Sequence, residues 1–390
     1  MTPPNNFDPR PLVDWCASDL SLLMDCLRRA VEIESPSRNR EAIDAMAQFF
    51  AAEIESAGGN AQLLEHAEAG CAVLGEFPAT ATARSRKEAQ PVLLLGHHDT
   101  VWEVGTLASM PFGVRAGRAH GPGIFDMKSG IVCALWAMRA LAALKIPRSR
   151  PVRIFLNPDE EVASRAFRKR LGSEARLCAA VLVLEPAAAG GALKTARKGV
   201  GDFRITVHGR SAHAGINPAA GVNAITELAR VILRVTELAD PEHGVTLTPG
   251  LISGGTRSNV VPEMAKVVID ARVPTLKDAR RVESRIRGLR PADRHAKIEV
   301  EGGINRPPLE HRRAEALFAQ ARALGLKMGL DLKEASTGGG SDGNFTAALG
   351  IPTLDGLGGT GDGAHARHEH VIVRELPGRA ALLAAMIATL

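Results

Sequence analysis

Short apolar segments that are typical of buried strands constrain the fold of this chain more than any other feature. Residues 91–95, 152–156 and 179–184 are dominated by aliphatic side chains, as expected for strands covered on both faces of a mostly parallel sheet. Segments with helical spacing, such as 40–56 and 127–144, alternate with these strands. The alternation predicts an α/β fold whose mostly parallel sheet carries helices on both faces.

The pattern changes near residue 198 and changes back near residue 307. Between these points the order is strand, helix, two strands, helix and strand, which is typical of a small ferredoxin-like α+β domain. We therefore predict an inserted domain at 198–306. The flanking segments, 1–197 and 307–390, are predicted to form the other domain together.

Composition indicates a soluble, cytoplasmic protein. No apolar stretch is long enough to span a membrane, and the N-terminal sequence lacks the basic start and apolar run of a signal peptide. Five cysteines at irregular spacing, with no CxxC pair, indicate reduced thiols. A net charge of +5 and 4% aromatic residues argue against nucleic-acid binding, which uses basic faces and stacking rings. The chain has no tyrosine, which excludes any mechanism that needs a tyrosine acid, base or nucleophile.

Histidines and acidic residues follow the predicted strands, or precede the helix at 127–144, at what should be one edge of the sheet. Each has a simpler explanation when taken alone, because Asp126 could cap a helix and the acidic run at 159–161 could be a solvated turn. Independent surface acids would not converge in this way, and carboxylates with imidazoles suit zinc, manganese or cobalt. The set consists of His97, Asp99, Asp126, Glu160, Glu161 and Glu185.

A site for two metal ions needs a bridging carboxylate, terminal ligands for each ion and a free carboxylate that acts as a base. The set supplies all of these except one ligand, which the segment 363–370 (GAHARHEH) offers. After the first strand, either His97 or His98 could be the ligand. The HxD spacing to Asp99 favours His97.

Eight motifs occur in a fixed order between about residue 20 and the end of the chain. They are HHDT, GPGIFDMKSG, PDEE, LEP, GRSAHAG, SNVVPE, GGGSDG and GAHARHE. In these motifs the chain resembles the dinuclear zinc exopeptidase and amidohydrolase family. That family includes glutamate carboxypeptidase, acetylornithine deacetylase, succinyl-diaminopimelate desuccinylase and aminoacylase. The resemblance implies a zinc-exopeptidase fold in which the inserted domain is a lid that carries a homodimer interface.

The resemblance also implies two Zn²⁺ ions per subunit, for which Co²⁺ or Mn²⁺ could substitute. The implied ligands are His97 and Glu185 for one ion, Glu161 and His365 for the other, and Asp126 as the bridge. Asp99 would orient His97, Glu160 would be the general base, and the Asp126–Met127 peptide bond is expected to be cis. Near the C-terminus, His368 and His370 compete with His365, and the Gly-Ala-His-x-x-x-Glu spacing selects His365.

The resemblance also points to substrate contacts, in the inserted domain and in one loop outside it. By motif position, His213 resembles the residue that reaches into a neighbouring subunit's site and stabilises the oxyanion; its alternative is a capping or packing histidine. Asn259, Arg272 and the loop at Gly339 and Gly340 resemble the groups that contact the substrate carboxylate. The alternative for Arg272 is an ordinary salt bridge on a strand.

We therefore expect an enzyme that hydrolyses an amide or peptide bond next to a free carboxylate and releases a C-terminal amino acid. The spellings GGINRPP and TGGGSDG are most similar to the glutamate carboxypeptidase branch, and an N-acyl-amino-acid deacylase is the alternative. A GxSxG match offers Ser341, with Asp355 and His365, as an α/β-hydrolase triad, but too few residues follow it for that fold. A non-catalytic, peptide-binding relative is the last alternative.

Overall fold

The computed structural model describes residues 7–82, 85 and 89–390. The chain divides into two compact units, described separately below. Unit 1 comprises Met1–Thr195, His311–Ser336 and Ser341–Leu390, and unit 2 comprises Ala196–Glu310 and Thr337–Gly340. The loop Thr337–Gly340, which the sequence analysis assigned to the first domain, therefore groups with the inserted segment.

Unit 1 combines helices and strands, and unit 2 follows a split βαβ order. The helices of the described residues are α1 (Arg10–Ser18), α2 (Leu20–Glu32), α3 (Arg40–Ser56), α4 (Ser129–Ala143), α5 (Arg168–Arg176), α6 (Ala224–Thr236), α7 (Leu276–Arg287), α8 (Glu315–Lys327), α9 (Gly343–Ala348) and α10 (Leu376–Thr389). The strands are β1 (Asn60–His66), β2 (Gly70–Phe77), β3 (Val92–His97), β4 (Gly113–Arg115), β5 (Arg118–His120), β6 (Val152–Asn157), β7 (Ala180–Val183), β8 (Leu193–Arg197), β9 (Gly199–His208), β10 (Thr246–Gly254), β11 (Met264–Val273), β12 (Lys297–Arg306), β13 (Glu334–Thr337), β14 (Thr353–Leu354), β15 (Gly361–Asp362) and β16 (His370–Ile372).

The main sheet of unit 1 has six strands in the order β1-β2-β6-β3-β7-β14. Strands β6, β3, β7 and β14 run parallel, whereas β1 and β2 form an antiparallel edge. Every residue of β3 and of β7 is buried, which explains why these strands are continuous apolar runs rather than alternating ones. The mostly parallel α/β sheet predicted from the sequence is confirmed.

The carboxyl ends of the parallel strands fix the place of the polar residues that follow them. His97 is the last residue of β3, Glu160 follows β6 by three residues and Glu185 follows β7 by two. Because these strands are adjacent and parallel, the three side chains are brought to the same edge of the sheet. A separate sheet, β15-β16-β5-β4, supports the loop between β15 and β16, which contains His365.

Unit 2 is a four-stranded antiparallel sheet in the order β10-β11-β9-β12 with two helices, α6 and α7. Alternate residues of β9 are buried and pack with apolar residues of α6, such as Leu228 and Val231. Asn223 caps α6 by accepting a hydrogen bond from the Thr226 amide at 3.0 Å, which fixes the start of the helix at Ala224. The inserted ferredoxin-like fold is confirmed. Among the described residues, no helix combines the length and apolarity needed to cross a bilayer.

Candidate metal centre

His97 lies buried at the end of β3 with both ring nitrogens engaged. Nδ1 is 3.0 Å from the carbonyl oxygen of Asp99, whereas Nε2 is 3.2 Å from Asp126 Oδ1 and 3.5 Å from Glu185 Oε1. Burial alone lowers the pKa of His97, but the hydrogen bonds to Asp126, Asp99 and Glu185 outweigh burial and raise the pKa well above its usual value. Because Nδ1 donates to a carbonyl oxygen, Nε2 is the nitrogen that faces the carboxylates and that could bind a metal once it has lost its proton.

The two carboxylate oxygens of Asp126 face two different histidines. Its Oδ1 lies 3.2 Å from His97 Nε2, and its Oδ2 lies 3.4 Å from His365 Nε2. Burial would raise the pKa of Asp126, but the hydrogen bonds from His365 and His97 lower it below the usual range, so the carboxylate is ionised. The peptide bond between Asp126 and Met127 is cis, as expected. One carboxylate shared by two imidazoles is the geometry of a bridging ligand.

Glu161 and His365 form the other side of the cluster. His365 Nε2 is 3.0 Å from Glu161 Oε1. The hydrogen bonds to Asp126 and Glu161 raise the pKa of His365 to about 10. Burial raises the pKa of Glu161. His365 is therefore the histidine of the C-terminal motif that reaches the cluster, whereas His370 Nδ1 lies 2.9 Å from the carbonyl oxygen of His368.

Two overlapping groups of side chains could each hold a metal ion, because the donor atoms within each group lie within 4.8 Å of one another. One group contains His97, Glu160 and Glu185, and the other contains His97, Asp126 and Glu161. Carboxylates this close repel each other unless a cation offsets their charge, and imidazole with carboxylate ligands suits zinc, manganese or cobalt. The residues present therefore fit a metal centre. Glu160, expected to be a base, is itself a member of the first group, so its carboxylate lies close enough to His97 and Glu185 to share an ion with them.

Asp99 connects the end of β3 to the loop that carries the two glutamates. Its Oδ1 accepts a hydrogen bond from the Glu160 amide at 3.2 Å, and its Oδ2 accepts one from the Glu161 amide at 3.1 Å. The Ser37 hydroxyl donates to the same Oδ2 at 2.6 Å. Although burial would raise the pKa of Asp99, the hydrogen bond from His97 lowers it. Asp99 therefore positions the glutamate loop as well as His97.

Glu369 is a buried residue of the site that the sequence analysis missed. Its Oε1 accepts hydrogen bonds from the amides of Phe125 and Asp126 at 2.9 and 3.0 Å, and its Oε2 accepts from the Gly123 amide at 3.0 Å and from Trp102 Nε1 at 2.7 Å. These bonds fix the turn that carries Asp126. The signal was its place as the last letter of the GAHARHE motif.

Asp342 is a second positioning residue that sequence reasoning missed. This buried carboxylate accepts a hydrogen bond from Asn157 Nδ2 at 2.6 Å and another from the Ser164 hydroxyl. Asn157 and Ser164 stand at the two ends of the loop that contains Glu160 and Glu161. Asp342 therefore closes this loop, and its signal was the GGGSDG motif.

The alternatives involving His98 and Ser341 do not assemble. Both ring nitrogens of His98 are buried without a hydrogen-bond partner among the described residues, and burial lowers the pKa of His98 to about 4. The Ser341 hydroxyl is buried and donates to Asp355 at 2.6 Å, whereas His365 contacts the acidic cluster. The geometry therefore selects His97 as the candidate ligand and shows no serine triad.

All the expected substrate contacts, including the loop at Gly339 and Gly340, belong to unit 2. His213 is exposed, and its Nδ1 accepts hydrogen bonds from the amides of Gly215 and Ile216 at 3.1 and 3.2 Å, so the ring caps its own turn and its Nε2 carries the proton when neutral. Asn259 is exposed, and its carbonyl oxygen accepts a hydrogen bond from the Ala214 amide at 3.0 Å.

Arg272 and the glycine loop are also held within unit 2. The Arg272 guanidinium pairs with Asp270 of the same strand at 2.8 Å and donates to the Gly338 carbonyl oxygen at 3.2 Å. The carbonyl oxygens of Gly339 and Gly340 accept hydrogen bonds from Arg197 at 3.2 and 3.3 Å. The salt bridge considered as the alternative for Arg272 is thus present.

Comparison with known proteins defines the class to which this fold and site belong. The profile of peptidase family M20/M25/M40 matches residues 93–389. Carboxypeptidase G2 of Pseudomonas sp. (strain RS-16) is 28% identical over 370 residues, which covers 93% of this chain and 87% of that protein. Succinyl-diaminopimelate desuccinylase of Ectopseudomonas mendocina (strain ymp) is 26% identical over 307 residues, covering 73% of this chain and 80% of that protein.

Solved structures show the same fold. Aminopeptidase PepT from Bacillus cereus ATCC 10987 superposes with a TM-score of 0.76 at 21% identity, covering 95% of this chain and 98% of that one. The M20 family metallo-carboxypeptidase Sso-CP2 from Sulfolobus solfataricus gives a TM-score of 0.69 at 16% identity, covering 94% and 98%. This chain belongs to peptidase family M20/M25/M40. It is a metal-dependent peptidase or amidohydrolase that acts on peptide or amide C–N bonds.

Proposed function

We propose that this enzyme hydrolyses a peptide or amide bond next to a free carboxylate and releases a C-terminal amino acid, with glutamate preferred. The observation that carries the proposal is the shared position of Asp126 between His97 and His365, with Glu160 beside them. The motif spelling and the 28% identity to a protein named carboxypeptidase G2 support a carboxypeptidase.

The chain's own residues suit two Zn²⁺ ions. The proposed ligands are His97 and Glu185 for one ion, Glu161 and His365 for the other, and Asp126 as the bridge. When bound, the ions would polarise the scissile carbonyl and lower the pKa of an attacking water. Asp99 and Glu369 would keep the ligand loops in place.

Glu160 would take the proton from the attacking water and return it to the leaving nitrogen. Its amide is held by Asp99, which fixes the start of its side chain, and its carboxylate lies near His97 and Glu185. A carboxylate that is not needed to bind metal can shuttle a proton in this way.

Residues of unit 2 would bind the rest of the substrate. The Nε2–H of His213, contributed by a partner subunit, would donate to the oxyanion. Asn259, Arg272 and the loop at Gly339 and Gly340 would bind the terminal carboxylate, for which a guanidinium is a bidentate donor.

A homodimer through unit 2 is part of this proposal. Strand β10 is an edge strand, and its Leu251 and Ile252 are 70% and 68% exposed. An exposed apolar edge strand favours pairing with a second copy. We also propose a reducing, cytoplasmic compartment, because the five buried cysteines are free thiols.

The test is to incubate zinc-loaded protein with N-acyl amino acids, dipeptides and folate-like glutamate conjugates, and to identify products by mass spectrometry. Release of a C-terminal amino acid from peptides or glutamate conjugates by wild type, and not by Glu160→Gln, is the expected result. Cleavage confined to N-acyl amino acids would instead favour the deacylase, the second candidate supported by the desuccinylase relative. Absence of cleavage across the panel by metal-loaded protein would contradict both.

A further inference from the structure

A pocket in unit 1 adjoins the metal centre and has no role in the function described above. Its volume is about 640 Å³, and Glu161 of the metal cluster forms part of its wall. The remaining charged or ionisable lining consists of Arg38, His66, Glu68, Asp159 and Arg165. The pocket is therefore open to a substrate group bound next to Glu161.

The cationic groups of the pocket are available to a ligand. Within the described part of the chain, the guanidinium groups of Arg38 and Arg165 have no ion pair or hydrogen bond with a protein group. His66 Nδ1 accepts hydrogen bonds from the amides of Glu68 and Ala69, both at 3.3 Å. A neutral ring with this pattern carries its proton on Nε2, so His66 is a hydrogen-bond donor there.

Two of the three carboxylates in the pocket are already engaged. Asp159 Oδ2 accepts a hydrogen bond from the Ala166 amide at 2.8 Å, and Glu161 faces His365. Glu68 is left to oppose Arg38 and Arg165. Although the lining carboxylates keep their charge, Arg38 and Arg165 form no ion pair with them among the described residues, so both guanidinium groups can pair with a ligand carboxylate.

We propose that this pocket, named here the arginine pocket, binds an acidic side chain on the acyl part of the substrate. The inference rests on the proposed function, in which the groups for the terminal carboxylate belong to unit 2 and the acyl part remains to be placed. The preferred substrate then has an acidic residue immediately before the scissile bond as well as a free carboxylate after it.

The matched substrates are N-acetyl-Glu-Glu and N-acetyl-Gln-Glu, which differ only by the charge of the acyl residue. Wild type should have a kcat/KM about tenfold higher for the first, because exposed arginines bind a carboxylate modestly and salt screens them. The double variant Arg38→Gln/Arg165→Gln should lose this preference and keep the rate on N-acetyl-Gln-Glu. Arg176→Gln, at the end of α5, is the control, since that exposed arginine does not line the pocket. Equal rates on both peptides in wild type, or an equal loss on both in the double variant, would overturn the proposal.

Binding separates this proposal from the catalytic one. Calorimetry with zinc-loaded Glu160→Gln protein should show tighter binding of N-acetyl-Glu-Glu than of N-acetyl-Gln-Glu, and the arginine substitutions should remove the difference. If wild type cleaves neither peptide, the proposed function fails, but an arginine-dependent difference in binding still supports the pocket. Equal affinity for the two peptides, or no binding of either, would overturn the pocket.

Discussion

The candidate metal ligands of unit 1 and the predicted substrate contacts of unit 2 differ in how many contacts they make within their own unit. His97 and Asp126 contact each other and further members of the cluster. In unit 2, His213 and Asn259 are exposed, and the charge of Arg272 is balanced by Asp270. We infer that unit 1 prebuilds the metal chemistry, whereas the groups of unit 2 need a partner or substrate to complete them.

The largest effect on the chemistry that we assign to unit 1 is expected from Glu160→Gln. The amide side chain has the same size and cannot take a proton, so turnover should fall about 10²- to 10⁴-fold. Metal content, measured by mass spectrometry of the bound metal, should stay at the wild-type value. Glu55→Gln on the exposed face of α3 is the control and should change neither quantity. Near-native turnover would remove Glu160 as the base, and loss of metal would make it a ligand instead.

The substitution His213→Ala tests whether the groups of unit 2 need a partner subunit. Removing one oxyanion donor should lower kcat about 10²- to 10³-fold, with metal content unchanged. Mixing His213→Ala with Glu160→Gln subunits sharpens the comparison. A site with its own Glu160 and the partner's histidine would regain activity in the mixed dimer if His213 acts in trans. No recovery in a proven mixed dimer would place His213 in its own subunit's site.

Most of the cluster could be predicted from the sequence, because the position of a residue directly after a parallel strand follows from the strand itself. Once 91–95, 152–156 and 179–184 are taken as parallel strands, the polar residues after them must meet at one edge. The helix at Arg40–Ser56 has the bounds that its pattern predicts, and Asn39 caps its first turn. Register, side-chain rotamers and distances needed the structure.

The residues that were missed act through contacts that are distant in sequence. Glu369 binds the Asp126 amide, 243 residues away, and Asp342 binds Asn157, 185 residues away. Both residues lie in recognisable motifs, but the sequence pattern does not show which amide or side chain each one binds. Helix α1, at Arg10–Ser18, was also not predicted. Asp126 and Met127 have non-helical backbone angles, so α4 starts at Ser129 rather than at Met127.

Glu369→Gln tests whether unit 1 fixes its ligands through its buried carboxylates. The amide replaces one acceptor oxygen with a donor that faces N–H groups, so the turn carrying Asp126 should loosen. Metal affinity should fall about 10- to 100-fold, as for other residues that orient metal ligands. Competition with a chelator measures this affinity, with Glu55→Gln as the control. Unchanged affinity with unchanged stability would show that the hydrogen bonds of Glu369 do not position the bridge.

The pH dependence of metal binding tests whether His365 of unit 1 is a metal ligand, and its expected effect is the smallest. In the metal-free protein, Asp126 and Glu161 raise the pKa of His365 to about 10, so the ring is protonated at neutral pH. An imidazole must lose this proton to bind a cation, and metal affinity should therefore rise with pH, by up to about tenfold per unit for each proton released. The rise should continue through neutral pH, because protonation persists up to the raised pKa rather than ending near 6.5.

Calorimetry in buffers of different ionisation enthalpy counts the protons released when Zn²⁺ binds. His365→Ala should release one proton fewer than wild type, whereas His368→Ala, which alters a neighbouring exposed ring, should release the wild-type number. His97, whose pKa is also raised, contributes its own proton in both variants. Equal proton release by wild type and His365→Ala would mean that His365 binds no metal. The bridge at Asp126 would then join His97 to some other group, and the prebuilt half of the comparison would be incomplete.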